Sequence, residues 1–205
     1  MQKTISIVYV LLLSNSLYAQ SQSGQYIHKH LMRADASIVS GTMYQSNFRN
    51  VHLNGNLEYY LDNKISVRGD VNWMAGTKSL ASTSTYLKEY YSVMLGGVYH
   101  FKSTSHLDPY FIFQPGIAYV SSYHAGKNYI LGEGASAEKT NYKASLAPLG
   151  SAGIGFNYYF QQFAHLFAEG RYVYGNHLSQ ATVPLCLQEF RITFGLGFNL
   201  FVMKE

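Results

Sequence analysis

The sequence predicts an all-β chain, closed into an up-and-down antiparallel barrel of about eight strands that crosses a membrane. Three observations carry that prediction. The final strand, residues 190–202, reads F-R-I-T-F-G-L-G-F-N-L-F-V, with every even position apolar. Successive side chains of a strand point to opposite faces, so one face is unbroken hydrocarbon and the other mostly small or polar. Strands of soluble domains average about five or six residues, whereas one that crosses a bilayer needs roughly 9–11. Second, the same phrase returns upstream. Gly155-Phe156-Asn157-Tyr158-Tyr159-Phe160 aligns with Gly197-Phe198-Asn199-Leu200-Phe201-Val202, and Gly96-Gly97-Val98-Tyr99-His100-Phe101 and Asn56-Leu57-Glu58-Tyr59-Tyr60-Leu61 are looser copies. Third, the 205 residues are 47% hydrophobic and only 13% charged, against about a quarter charged in ordinary soluble domains. No run reaches the roughly 18 apolar residues of a membrane helix. A closed barrel is the other way to satisfy every backbone group in lipid.

The chain divides into three parts. Residues 1–19 read as a secretory signal, with Lys3 as the charged start, an apolar stretch over 5–13 and Ala19 before the cut. Residues 20–30 form a polar spacer, expected to be loosely ordered, and residues 31–205 the barrel. The first strand is expected over 31–45, with Ala34, Ala36 and Ile38 outward, then a turn at 47–50. The second, 51–61, alternates Val51, Leu53, Leu57 and Tyr59 against His52, Asn54, Asn56 and Glu58. Asp62-Asn63 is a hairpin signal. Strand three sets Ile65, Val67, Val71 and Trp73 against Ser66, Arg68, Asp70 and Asn72, and residues 75–88 are expected to be a polar connection. Strands four (89–101) and five (110–121) follow, the latter interrupted by Pro115, which lacks a backbone donor and is expected to mark a bulge or an irregular stretch. A long loop spans 123–143, and strands six to eight cover 146–160, 164–174 and 190–202. Connections after even strands are short and those after strands three, five and seven are long, as in barrels with short periplasmic turns and longer external loops. If the repeated phrases end at one rim, Tyr59, Tyr99 and Tyr158 form an aromatic girdle there.

The inward parity collects charge: Glu58, Arg68, Asp70, Glu169, Arg171, Glu189 and Arg191, four acids against three bases. Eight strands enclose a space just wide enough to be filled by side chains. With Tyr60, Tyr159 and Phe167 also inward, a salt-bridged, plugged lumen is the expectation, and a narrow path for ions or small solutes is the alternative.

The signal, the loop alternation and the terminal Gly-Leu-Gly-Phe-Asn-Leu-Phe resemble the small eight-stranded outer-membrane barrels of Gram-negative bacteria, the OmpA/OmpX-like or porin-family proteins. The resemblance covers nearly the whole mature chain. It implies a monomer in the outer membrane, and it implies that Gly197, Phe198, Leu200 and Phe201 belong to a terminal signal read by the barrel assembly machinery. Residues 202–205 follow that aromatic position. The family is functionally mixed, so membership implies no single activity.

His177-Leu178-Ser179 resembles the His-x-Ser of outer-membrane lipid A deacylases, since a hydroxyl nucleophile needs a neighbouring base and a group to orient it. Gln180 follows where that motif has Asn, and the acid available to orient the pair, Glu189, falls on the inward parity. The expectation is therefore a non-enzyme with a structural, membrane-integrity or surface-interaction role, and a lipid A hydrolase is a further alternative. His28-Lys29-His30 is the one close histidine pair, and two histidines do not make a metal site, so no metal or cofactor is expected. The net charge of +4 comes from scattered bases and implies no nucleic-acid partner. Lys78, Lys88, Lys127, Lys139 and Lys143 fall in the outer connections, where they are candidates for contact with the phosphates of lipopolysaccharide. The single Cys186 has no disulfide partner.

Overall fold

Period-two patterning becomes nine strands in the computed structural model, which describes residues 27–80, 85–101, 106–125, 139–176 and 185–200. They are β1 (Met32–Met43), β2 (Phe48–Tyr60), β3 (Ile65–Ser79), β4 (Thr85–His100), β5 (Leu107–Ala125), β6 (Lys139–Asn141), β7 (Ser145–Gln161), β8 (Ala164–Gly175) and β9 (Glu189–Leu200). Eight of them pair antiparallel in the cycle β1-β2-β3-β4-β5-β7-β8-β9, and β1 closes on β9 from Met32↔Leu200 to Thr42↔Phe190. Closure leaves no unpaired sheet edge around the middle of the barrel. The short β6 pairs with Tyr123–Ala125 of β5, in line with β7, so residues 123–125 and 139–141 of the expected 123–143 loop are strand.

Alternation sorts the faces. Ile38, Leu95, Ile154 and Phe194 are 61–66% exposed, while their strand neighbours Val39, Met94, Ser151 and Thr193 are buried. An apolar outer surface of this extent has no stabilising partner in water and an ideal one in hydrocarbon. Trp73, Tyr91 and Tyr119 are cross-strand neighbours on the outer face, and Tyr172 faces Phe190. Tyr99 lies eight residues beyond Tyr91 on β4 and, like Tyr158, is exposed at the opposite end, while Tyr59 is part-buried. That span is about 27 Å along the strand, or about 20 Å along the axis at the tilt of such strands, close to the height of a lipid-facing band.

Several boundaries differ from the sequence reading. The first turn is Tyr44–Asn47 rather than 47–50, and Asn47, with φ of 54°, takes the left-handed conformation that the reversal needs. Residues 75–88 are not all connection: β3 continues to Ser79 against β2, and β4 starts at Thr85 against β5. The β3–β4 ladder stops at Trp73↔Tyr91, so beyond it each strand satisfies its backbone on its other neighbour. Bulges at Ala75 and Lys88 fall in this region. Pro115 marks no bulge. It pairs with Gly150, and the β4–β5 register is the same before it (Gly97↔Phe113) and after it (Met94↔Gly116). The ladder simply lacks a rung at the residue without a donor. Finally, the last part of the expected spacer is packed: Ile27 and Leu31 are buried with Tyr60 and Tyr159, and the His30 amide donates to the Tyr60 carbonyl at 2.9 Å. The expected signal, residues 1–19, lies outside the described residues.

Candidate functional site: the polar lumen

Three polar layers stack inside the barrel between two apolar clusters. The middle layer uses four charges read from the sequence. Arg68 donates to Glu169 and to Asp70, each at 3.1 Å. Arg171 lies 2.7 Å from Glu169 and 3.4 Å from Asp70, which completes a ring of alternating sign. Gln114 locks the ring: Arg171 donates to its Oε1 at 2.6 Å, and its Nε2 donates to the Arg68 carbonyl at 2.8 Å. Tyr110 donates to Glu169 at 2.9 Å. Every strand contributing here is paired on both sides, so the backbone fixes these positions before any ionic contact forms.

Toward the loop end, Glu189 accepts from Arg191 (2.7 Å) and Asn50 (2.8 Å), and His52 Nε2 lies 3.1 Å away. Arg191 donates to Tyr90 at 3.1 Å and stands over its ring. Gly41 is needed here, because a Cβ would run into the Glu189 carboxylate. Above this layer Met43, Phe48, Leu87, Val120, Leu185 and Leu187 belong to an apolar cluster that fills the loop end.

The layer at the turn end is the one the sequence reading caught only in part, through Glu58, Tyr60 and Tyr159. Arg33 reaches Glu58 at 2.5 Å and Tyr159 at 3.0 Å. His100 places Nε2 2.9 Å from Glu58 and Nδ1 2.9 Å from Asp108, and Asn157 donates to Asp108 at 2.8 Å. His165 Nε2 is 3.2 Å from Asp35. A ring with a carboxylate at each nitrogen can donate at both only as the imidazolium. Ser66 Oγ is 3.0 Å from His100 Nε2, so Ser66, His100 and Asp108 fall in the order of a nucleophile, a base and an orienting acid. The Ser66 hydroxyl, however, donates to Glu58, and Ser66, His100 and Asp108 are all 0% exposed. An acyl substrate has no approach to this oxygen, so the trio is part of the packing.

All seven charges expected in the lumen are buried. Arg33, Asp35 and Asp108 join them, which corrects the balance to six buried carboxylates against four guanidiniums, with His52, His100 and His165 among them. The signal for Arg33 and Asp35 was the alternation of Arg33 and Asp35 with Ala34 and Ala36. Asp108 was hidden because β5 starts three residues earlier than its apolar run. Between the layers remains a cavity of about 10 Å³ lined by Asn54, Asp70, Asn72 and Arg171 among others, at the lower limit for one water.

The remaining candidates are dispersed. His177, Ser179, Lys127 and Phe201 lie outside the described residues, and Glu189 is committed to Arg191 and Asn50. Lys78, Lys88 and Lys143 are exposed, and Lys139 falls on β6. Gly197 packs inward, where a Cβ would collide with His165 and Asp35, while Phe198 and Leu200 turn outward.

Closed antiparallel topology, an apolar outer face with aromatic residues toward both ends and a polar interior define a transmembrane β-barrel of the outer-membrane type. Solved structures share the fold. OprG of Pseudomonas aeruginosa aligns with a TM-score of 0.55 at 14% identity over 87% of this chain and 100% of that one. Neisserial surface protein A aligns at 0.52 and 15% over 86% and 99%, and the N-terminal barrel domain of P. aeruginosa OprF at 0.51 and 17% over 84% and 99%. No protein-family model matches the chain, and no curated protein matches its sequence.

Proposed function

We propose that this chain is a monomeric outer-membrane barrel, exported by its N-terminal signal, whose role is structural or surface-interacting rather than catalytic, and whose lumen is closed to solutes. The observation that carries this reading is the interior itself. Apolar clusters toward both ends (Ile27 and Leu31 at one, Leu185 and Leu187 at the other) flank layers of paired charge, and the cavity lined by Asn54, Asp70, Asn72 and Arg171 has room for about one water. Opening a path means breaking ion pairs that are already desolvated, at about 3–5 kcal/mol for each pair that loses a partner. The outer leaflet and its lipopolysaccharide are the partners that the basic loop end suits, and the terminal strand is the segment offered to the assembly machinery.

The narrow channel is the second reading, and one observation favours it. Asp35, Asn56, Asn72 and His165 carry buried side-chain atoms without a hydrogen-bond partner, and such groups are commonly satisfied by water. Conductance separates the two. In a planar bilayer the refolded protein is expected to give no steady ion current at 1 M salt, and reproducible ohmic steps would replace the closed-lumen reading with the channel.

A further inference from the structure

Above the loop-end aromatic residues, β2 and β3 place Arg49 directly opposite Lys78. Both side chains are exposed, on the parity that faces away from the lumen. Like charges directly opposite on one face of a sheet repel. The ion pairs among the described residues all lie in the lumen, so no carboxylate relieves this repulsion. The Thr42 hydroxyl lies on the next strand, across from Arg49. Two outward steps down β2 bring Leu53 opposite Trp73 and the start of the apolar band, about 14 Å along the strand. Side chains as long as Arg and Lys reach from there into the headgroup layer.

We propose that Arg49 and Lys78 form a clamp for the phosphate of a phosphorylated glycolipid of the outer leaflet. A guanidinium fork and an ammonium carried side by side on adjacent strands suit a tetrahedral dianion, and the lipid-facing side of the wall suits a membrane-embedded ligand rather than a soluble one. The inference rests on the outer-membrane reading above. Of the lysines expected to meet lipopolysaccharide, it selects Lys78 and supplies the partner, Arg49, that the sequence reading passed over.

Trp73 is the only tryptophan of the chain and lies close to the clamp, which makes it a reporter. Protein in phosphatidylcholine vesicles is titrated with bisphosphorylated lipid A while Trp73 emission is followed. A saturable change is expected. Arg49→Gln and Lys78→Gln each weaken it about tenfold, the double variant abolishes it in the same range, and Lys64→Gln, in the β2–β3 turn at the opposite end, leaves it unchanged. Dephosphorylated lipid A and inorganic phosphate should produce no such change. A double variant that titrates like the wild type, or equal responses to phosphorylated and dephosphorylated lipid, overturns the clamp. If the double variant does not fold, the single variants decide the matter by the same criterion. Heat-modifiable gel mobility of the wild type is read in parallel. Its absence would count against the barrel reading, whereas a folded wild type without phosphate discrimination would count against the clamp alone.

Discussion

Arg171 shows what a single lumen residue contributes. Its guanidinium meets Glu169, Asp70 and Gln114 at once, so truncation leaves the two buried carboxylates with one guanidinium, Arg68, in place of two and leaves Gln114 Oε1 without its donor. Arg171→Met should therefore lower unfolding stability in vesicles by about 3–5 kcal/mol, read as the shift of the urea midpoint at constant slope. A loss under about 1 kcal/mol would mean that water already screens the ring. The ring residues were legible in the sequence because each alternates with an apolar neighbour on a strongly patterned strand: Arg68 and Asp70 between Val67 and Val71, Glu169 and Arg171 between Leu166 and Tyr172. His100 and Asp108 were not, because Asp108 precedes the apolar run of β5 and therefore read as turn rather than strand. They meet across the β4–β5 turn, and Arg33 comes within 3.7 Å of Asp108 from a strand far away in sequence.

At the level of the strand, parity decides fate. Leu196 of β9 faces lipid and Thr193 faces the lumen, three residues away on the same strand. Leu196→Arg puts a charge in hydrocarbon at about 2–4 kcal/mol near the midplane, while Thr193→Ser removes one methyl group from the wall of the lumen. The first variant should fail to give a heat-modifiable band after refolding and the second should give one. Equal behaviour would mean that the two faces are interchanged. Face assignment was readable from residue type alone, since a slip of one residue would exchange every side chain. Strand ends were harder. Residues 75–79 and 85–88 are polar because they rise beyond the apolar band, so composition ceases to mark strand from loop where the lipid stops. Gly195 illustrates a related limit. It read as merely small, yet a Cβ there would collide with Phe167 and the Ala36 carbonyl, contacts made by two different neighbouring strands.

For the molecule as a whole, the account is a barrel with hydrocarbon outside, paired charge inside and apolar clusters toward both ends. Closure by β1 and β9 joins the weakest sequence pattern to the strongest, which is why eight strands could be counted before the partner of the first could be named. The most direct test replaces Cys186, the only cysteine, with Ala and introduces Cys at Phe194 or at Thr193. Protein in vesicles is then exposed to a membrane-soluble maleimide and to a charged, water-borne thiosulfonate. The account predicts that the cysteine at 194 reacts with the membrane-soluble reagent alone and that the cysteine at 193 reacts with neither. Rapid modification at 193 by the charged reagent would contradict it, since a water-filled lumen would then run through the centre of the barrel.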